Sequence, residues 1–553
     1  MQTYTALPDA AGSLGLSAAL GALPLLTFFI TLMLLKLKAW QSGLAALAVA
    51  LGVAVLGFGM PAGLALLSAA QGAAFGLFPI VWIVVMALWF YQVTVLSGRF
   101  EDMRAIFDSI GGGDIRIQAV LIAFCFGGLL EALAGFGAPV AITATMILAL
   151  GIPPLRAATA VLLANTAPVA FGAVGIPITT AGTLTGIPAE HIGAIVGHQA
   201  PFVAVLVPFL LVLIIDGARG IRQTWPALLV IGTAFALSIW FASTYFSYEL
   251  TDVVAALVSM GTAVVMLRFW RPKGAAEARA RLGVTDAPAA STLTPVRVWM
   301  ALLPYIVVVT VFGLAKLVPP ITAALSSATT KTPWPGLDGR LADTAGAPIA
   351  NTVYKAEWLA SPGTLLLFAG LVMTVVYSVF DDGGRYRLGV GDAVAEIGRS
   401  FWRMRWSALT IMTVLSLAYV MNFSGQTIAM GTWVAGLGTA FVFLSPVLGW
   451  LGTAVTGSDT SANALFAKLQ QTAAHNIGAD PALLVAANTS GGVVGKMISP
   501  QSLAIAATAV SLEGRESEIL RRVVGWSVGL LLLVCVIVYL QSTVLSWMLP
   551  AAP

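Results

Sequence analysis

The chain has 553 residues, of which 59% are hydrophobic and only 9% are charged, against about 25% charged residues in an average globular domain. A soluble fold could not bury that share of apolar side chains, so the composition excludes a soluble protein and predicts one that crosses a lipid bilayer many times. The net charge of +4 is spread over the loops, where it indicates membrane topology rather than binding to nucleic acid.

Apolar runs of about 20 residues, long enough to span hydrocarbon, recur along the chain. They lie at 16–35, 78–96, 201–215, 225–246, 298–318, 364–380 and 525–544. They predict an all-α polytopic membrane protein with about 12 spanning helices. Lys and Arg concentrate in alternate loops, which the positive-inside rule places in the cytoplasm. We therefore expect both termini, and the long loop at 319–360, to face the outside.

Two stretches of the chain carry related motifs. The sequence Ala164-Asn165-Thr166 in the first stretch corresponds to Ala487-Asn488-Thr489 in the second, and the segment 135–139 corresponds to 457–461 at nearly the same offset. Because the loop charges start the first copy inside and the second outside, the pattern predicts an inverted-topology repeat, which is common in secondary transporters. The predicted divisions are a first repeat unit at 1–216 with a hairpin near 117–151, linking helices and a cytoplasmic loop at 217–296, and a second repeat unit at 297–553 with a hairpin near 440–477.

Helix-breaking residues interrupt these motifs in the middle of apolar runs. Since backbone polar groups cannot be left bare in lipid, the segments 135–139 and 457–461 predict re-entrant hairpins with their tips inside the protein. The segments 164–168 and 487–492 predict breaks in the helices that follow. The positive dipole end of a broken helix suits a carboxylate, so we expect the tips and breaks to meet at one substrate site. The predicted substrate-binding residues are Gly137, Asn165, Thr166, Ser458, Asn488, Thr489 and Lys496. The alternative is that the Asn and Thr side chains only tie helices together.

Two carboxylates within apolar runs, Glu131 and Asp459, are candidates for the group that binds a coupling proton, because a charge inside the membrane is costly. Glu131 is the first choice, since its neighbours are Leu and Ala and burial there favours the neutral form. Asp459 is flanked by Ser458 and Thr460, whose hydroxyls would stabilise its anion. Lys496 could bind a substrate carboxylate as a point charge, or could form a salt bridge with one of the two acids.

The sequence gives no indication of an enzyme. Its three His residues are not spaced as metal ligands, and no nucleophile lies beside a base. Both cysteines lie in apolar runs and indicate neither a disulfide nor a metal site. We expect no catalysis, no metal and no cofactor. A receptor or structural membrane protein is a further class, against which the inverted repeat argues. Sodium coupling also stays open, because carbonyls of the broken helices, with the Asn and Thr side chains, could hold a hard cation.

Four long runs carry a resemblance to a known family. They are 126–144 (FGGLLEALAGFGAPVAITA), 165–178 (NTAPVAFGAVGIPI), 457–469 (GSDTSANALFAKL) and 486–505 (AANTSGGVVGKMISPQSLAI). With them the chain resembles, over nearly its whole length, the lactate permease family, which includes glycolate permeases. The resemblance implies uptake of L-lactate, D-lactate, glycolate or related 2-hydroxymonocarboxylates in symport with protons. It implies a multi-pass protein of the bacterial cytoplasmic (inner) membrane, whose partners are the hydroxycarboxylate, the proton and the lipid bilayer. The preferred hydroxyacid and the oligomeric state stay open.

Overall fold

A computed structural model describes residues 3–110, 113–133, 135, 137–283, 294–343 and 346–551. Phe136 of the first predicted hairpin tip, and residues 284–293 of the predicted linking segment, lie outside this description. The described chain is almost entirely helical, which confirms the predicted all-α polytopic class. The helices are α1 (Leu14–Phe29), α2 (Ala39–Gly52), α3 (Ala62–Phe75), α4 (Trp82–Leu96), α5 (Arg99–Ile110), α6 (Ile115–Val120), α7 (Gly127–Leu133), α8 (Ala138–Ala149), α9 (Pro154–Ala164), α10 (Gly172–Thr185), α11 (Ala189–Phe241), α12 (Thr251–Phe269), α13 (Ala275–Leu282), α14 (Pro295–Leu317), α15 (Pro319–Ser327), α16 (Pro362–Val379), α17 (Val390–Ser424), α18 (Gln426–Val434), α19 (Ala440–Thr456), α20 (Asp459–Ile477), α21 (Pro481–Gly495), α22 (Pro500–Ala509) and α23 (Glu516–Gln541).

Four short strands lie outside the helical body. They are β1 (Tyr4–Thr5), β2 (Thr329–Pro333), β3 (Leu341–Ala342) and β4 (Val353–Glu357). Strand β1 pairs in parallel with β3, and β2 pairs antiparallel with β4. The amino-terminal segment and the long loop at 319–360 therefore lie on the same face of the protein.

Ten helices in the described part of the chain are long and apolar enough to cross a membrane, or eleven if the bent pair α9 and α10 counts as one span. One of the ten, Ala189–Phe246, has 58 residues and at a rise of about 1.5 Å per residue is far longer than a bilayer is thick. It breaks at Gly217, whose φ of 74° and ψ of −168° suit glycine alone. Beyond the break the helix returns along itself, and a β-carbon on Gly232 would lie 2.9 Å from the carbonyl oxygen of Val205. This element therefore supplies two crossings.

Several of the basic loops are in contact with one another. Asp216, beside the break in α11, accepts from Arg116 at 3.2 Å and from Arg281 at 2.7 Å. Trp40, which follows the first basic loop, stacks on Trp406 of the last basic cluster with ring centroids 5.2 Å apart. These contacts join several of the basic loops to one another, and the division of the loops between two membrane faces stays a prediction.

Two hairpins and two broken helices occupy the centre of the fold. The first hairpin joins α7 to α8 through Gly137, and the second joins α19 to α20 through Gly457 and Ser458. The first broken helix is the pair α9 and α10, bent by 59°. The second is the pair α21 and α22, which meet at a turn over Lys496–Ile498. The inverted relation of the two units, and their boundaries, stay predictions.

The predicted break at 487–492 is wrong, because α21 continues through these residues to Gly495. The glycines in this stretch serve helix packing instead. A β-carbon on Gly491 would lie 1.9 Å from the carbonyl oxygen of Pro446, and one on Gly449 of α19 would lie 1.8 Å from that of Asn488. Small residues that let two backbones approach this closely are typical of helix pairs in membranes.

Candidate functional site

The two hairpin tips and the two helix breaks enclose one cavity of about 60 Å³. All four elements contribute to its wall. The two predicted tips and the first predicted break therefore meet here, whereas the fourth wall element is the turn at Lys496–Ile498 and not the break predicted at 487–492. The lining residues are Glu131, Gly135, Gly137, Val169, Gly172, Ala173, Pro177, Gly457, Ser458, Asp459, Thr460, Lys496, Gln501, Ser502 and Ile505. We call this space the central cavity.

Helix amino-terminal ends surround the central cavity. Helix α8 begins directly after Gly137, and the starts of α10, α20 and α22 also line the wall. Two of these ends carry side-chain caps: the Ser458 hydroxyl accepts from the backbone N–H of Ser461 at 3.2 Å, and the Ser499 hydroxyl accepts from that of Ser502 at 3.2 Å. Because each amino-terminal end is the positive end of a helix dipole, the combined field favours an anion in the cavity.

The first break has an unusual backbone. Ala173 and Val174 adopt left-handed conformations with φ of 45° and 61°, and Gly175 follows with φ of 69°. The preceding glycine lies against a carboxyl group, since a β-carbon on Gly172 would lie 2.9 Å from Oε1 of Glu131. This break therefore shapes the wall of the cavity around Glu131.

A buried ion pair joins the two halves of the site. Lys496 Nζ lies 2.6 Å from Glu131 Oε1, and the Asn165 side chain donates to the other carboxylate oxygen at 2.9 Å. Glu131 is 2% exposed and Lys496 8%. Both carboxylate oxygens of Glu131 therefore have a hydrogen-bond partner, and one of the two partners is a cation.

Asp459 has far fewer partners. It is 3% exposed, and one of its oxygens accepts from the Thr453 hydroxyl at a long 3.4 Å. The other oxygen has no hydrogen-bond partner among the residues that the structure describes. The carboxyl fits in place because Gly492 has no side chain, since a β-carbon there would lie 1.8 Å from Asp459 Oδ1. The surroundings predicted for the two acids are thus reversed, because the hydroxyl of Ser458 caps α20 and the donors to Glu131 come from distant segments.

Four predicted site residues, Asn165, Thr166, Asn488 and Thr489, bind protein partners and are not among the residues that line the central cavity. Asn488 donates to Asn463 at 2.9 Å, and Asn463 in turn donates to the Thr489 hydroxyl at 2.9 Å and to the carbonyl of Pro177 at 3.1 Å. The Thr166 hydroxyl donates a hydrogen bond to a backbone carbonyl of its own helix. These contacts are those of the alternative reading, in which Asn and Thr tie helices together.

Sequence reasoning missed Gln501, Ser502 and Asn463. The first two line the cavity directly after the helix breaker Pro500, and a polar pair after a break within an apolar run was the signal that could have found them. Asn463 lies inside the run 457–469 but carries no breaker beside it. Its role depends on contacts with two other helices, which no local pattern shows.

A helical membrane protein in which two hairpin tips and two broken helices enclose a buried ion pair has the architecture of a secondary transporter. The L-lactate permease family model matches residues 17–545, so the chain belongs to the L-lactate permease family. It is 42% identical to an L-lactate permease of Bacillus subtilis, with all of both chains covered. It is 40% identical to the glycolate permease GlcA of Escherichia coli, with 99% of this chain and 100% of the relative covered.

The fold is also similar to a solved structure, that of the Alcanivorax borkumensis YdaH transporter. The TM-score is 0.47 at 16% identity, and the match covers 88% of this chain and 89% of that one. The family and its relatives are permeases, which places the chain among transporters rather than enzymes.

Proposed function

We propose that this protein takes up L-lactate, D-lactate, glycolate or a related 2-hydroxymonocarboxylate in symport with protons, across the bacterial cytoplasmic membrane. The observation that carries the proposal is the Glu131–Lys496 ion pair in the wall of a small cavity surrounded by helix amino-terminal ends. The names of the relatives, L-lactate permease and glycolate permease, support the substrate class.

The size of the cavity suits a small substrate. Its volume of about 60 Å³ holds about five water-sized groups. That is close to the number of non-hydrogen atoms in a two- or three-carbon hydroxyacid. The hydroxyl groups of Ser458 and Ser502 and the amide of Gln501 can exchange hydrogen bonds with the substrate hydroxyl and carboxylate.

The ion pair gives a physical route to proton coupling. While Glu131 is ionised it occupies the ammonium of Lys496, which is then closed to a second anion. A proton on Glu131 removes that competition, so the Lys496 ammonium becomes available to the substrate carboxylate. Substrate binding and proton binding therefore favour each other, as symport requires.

Charge balance favours the same scheme. Before loading, the pair of Glu131 and Lys496 is neutral. After loading, Glu131 is neutral, and Lys496 is balanced by the substrate carboxylate. Neither state leaves a net charge on the pair or on the pair with its substrate, and an unpaired buried charge is expensive. In this scheme Asn165 is a positioning residue that holds the carboxyl of Glu131 towards the lysine.

Uptake of labelled L-lactate into proteoliposomes tests the proposal. A pH gradient, acid outside, should drive accumulation, and a sodium gradient at equal pH should not. Accumulation driven by sodium alone would replace proton coupling with the sodium-coupled alternative. Glycolate should compete with the label, and a dicarboxylate should not.

A matched control separates the site from general effects of charge removal. Lys496→Gln should abolish uptake. Lys468→Gln removes a lysine of α20 that binds Gln471 at 2.7 Å and is not among the residues lining the central cavity. It should leave uptake intact.

A further inference from the structure

A second, larger cavity of about 760 Å³ opens on the side of the basic loops. The charged residues among those that line it are Lys36 and Lys38, and no described acidic residue is among them. Its rim includes the stacked rings of Trp40 and Trp406. We call this space the basic vestibule.

The basic vestibule meets the central cavity at two residues. Ser458 and Gln501 line both spaces, so they mark the passage between them. Gln501 is exposed, and its side chain crosses the second hairpin tip, since a β-carbon on Gly457 would lie 2.5 Å from Gln501 Oε1. An anion in the vestibule would therefore reach the ion pair by passing Gln501.

The face opposite the basic loops has a cavity of its own, which differs from the basic vestibule in its charged residues and in its relation to the central cavity. The cavity there, of about 550 Å³, includes in its wall Glu190, Glu249 and Glu357 with Lys316 and Lys355. Within the described chain it shares no lining residue with the central cavity.

Hydrogen bonds join residues near the central cavity and near the cavity on the opposite face. Asn463 donates to the carbonyl of Pro177 at 3.1 Å, and the hydroxyls of Tyr248 and Thr179 are hydrogen-bonded at 2.9 Å. Among the described residues, the central cavity thus shares part of its wall with the basic vestibule and none with the cavity on the opposite face.

We propose that the basic vestibule is an anion-binding site, in which Lys36 and Lys38 hold the carboxylate of the substrate on its way past Gln501 between the central cavity and the face of the basic loops. The proposal rests on the proposed function for the chemistry of the anion, and on the cavities for its path. The lysines act as point charges on flexible stems, which suits a ligand that must bind briefly and leave. A steady excess of positive charge in a cleft raises the local concentration of an anion.

Thiol labelling tests the path without relying on transport. In a protein with Cys125→Ser and Cys535→Ala, a single cysteine is placed by Ser458→Cys or, separately, by Gln501→Cys. A negatively charged sulfonate reagent and a positively charged ammonium reagent are applied to phosphatidylcholine proteoliposomes with the basic face outward. Rates are divided by those at Ser517→Cys, an exposed position in the first turn of α23, at the predicted cytoplasmic face. Both vestibule positions should react, and the sulfonate should react faster.

Removal of the lysines provides the decisive comparison. Lys36→Gln with Lys38→Gln should lower the sulfonate-to-ammonium rate ratio by about tenfold, which is the effect that two unit charges would have across a separation of about 10 Å in a water-like dielectric. The matched pair Lys331→Gln with Lys355→Gln, on the opposite face, should leave the ratio unchanged. No reaction at either position, no preference for the sulfonate, or a ratio insensitive to Lys36 and Lys38 would each overturn the proposal.

A final arm separates a soluble carboxylate from a lipid headgroup, which offers the same anionic chemistry. The labelling is repeated in vesicles with phosphatidylglycerol. If the reference-corrected sulfonate preference persists, the vestibule is open to soluble anions, as proposed. If it disappears, a lipid headgroup occupies the lysines and the proposal fails. Failure of L-lactate uptake would remove the proposed function while leaving these labelling rates unchanged, so the two failures can be told apart.

Discussion

Two substitutions that break the same ion pair should have opposite effects on lactate binding. Glu131→Gln keeps the size of the side chain and leaves the Lys496 ammonium permanently available to a carboxylate. Lys496→Gln leaves an ionised Glu131 facing an anionic substrate. A site in which the pair were only structural would respond to both changes in the same direction.

The expected size follows from the geometry. Lys496 Nζ and Glu131 Oε1 are 2.6 Å apart, and the two side chains are 10% and 3% exposed. A hydrogen bond to a charged group contributes about 1.5–3 kcal/mol, which corresponds to about tenfold to a hundredfold in affinity. At pH 7.5 Glu131→Gln should therefore tighten L-lactate binding by at least about tenfold, and Lys496→Gln should weaken it by about as much or more.

The free energy of unfolding provides a second test of the Glu131–Lys496 pair. Removal of one member of a buried pair costs about 3–5 kcal/mol, since the other charge is left unpaired. The double variant Glu131→Gln with Lys496→Gln leaves neither charge behind. Its loss of unfolding free energy should be smaller than the sum of the two single losses by about 1–3 kcal/mol.

Isothermal titration calorimetry of purified protein with L-lactate, at pH 5.5 and pH 7.5, measures the first effect. The unmodified protein should bind lactate more tightly at pH 5.5, because the proposed scheme takes up one proton with each lactate and the two binding events favour each other. The Glu131→Gln protein should show little dependence on pH, and Lys468→Gln should behave as the unmodified protein. If Glu131→Gln weakens binding at both pH values, as Lys496→Gln does, the switching role of the pair is refuted.

Three further predictions concern the surrounding residues. Asp459→Asn should retain lactate accumulation driven by a pH gradient, because the coupling proton binds the acidic member of the ion pair; loss of accumulation with counterflow intact would assign the proton to Asp459. Gly492→Ala places a β-carbon 1.8 Å from an Asp459 oxygen and should lower the unfolding free energy by about 1–3 kcal/mol; in Gly261→Ala, where nothing lies within 4 Å, thermal unfolding should be unchanged or slightly later. Asn165→Ala should weaken lactate binding in calorimetry more than Asn488→Ala does, whereas Asn488→Ala should mainly reduce stability; equal losses of affinity would return Asn488 to the substrate site.

Most of the architecture could be predicted because it follows from local chemistry. Apolar runs specify spanning helices, and a Gly or Pro in mid-span specifies an interruption wherever it falls. This is why both hairpin tips and the first helix break lie where the breakers are. The charge of the loops likewise predicts their division between two faces, since each loop carries the charge that suits its own side of the membrane.

The second helix break was misplaced because the same residue type can serve two purposes. Gly491 and Asn488 look like a weak point in a helix when read alone. In the structure the glycine admits the backbone of α19, and the asparagine binds Asn463. Whether such residues break a helix or pack it closely against another helix depends on the neighbouring helices, which the local sequence does not show.

The partners of the two carboxylates could not be predicted for a different reason. Glu131 and Lys496 are 365 residues apart in the chain, and no local pattern encodes which of two acids a distant lysine meets. The flanking Ser458 and Thr460 were a poor guide to the surroundings of Asp459. A serine at the start of a helix is commonly used to cap that helix.

The left-handed backbone at Ala173 and Val174 makes the two halves of the site energetically unequal. Each such residue costs about 1–2 kcal/mol, and the branched side chain of Val174 is poorly suited to that conformation. The corresponding turn at Lys496–Ile498 has right-handed or extended angles at both ends, with φ of −59° at Lys496 and −67° at Ser499. The backbone of the first break is therefore strained, and the backbone of the second break is not. Any rearrangement that lets residues 173 and 174 leave these conformations would release that energy, whereas the angles at Lys496 and Ser499 store no such strain.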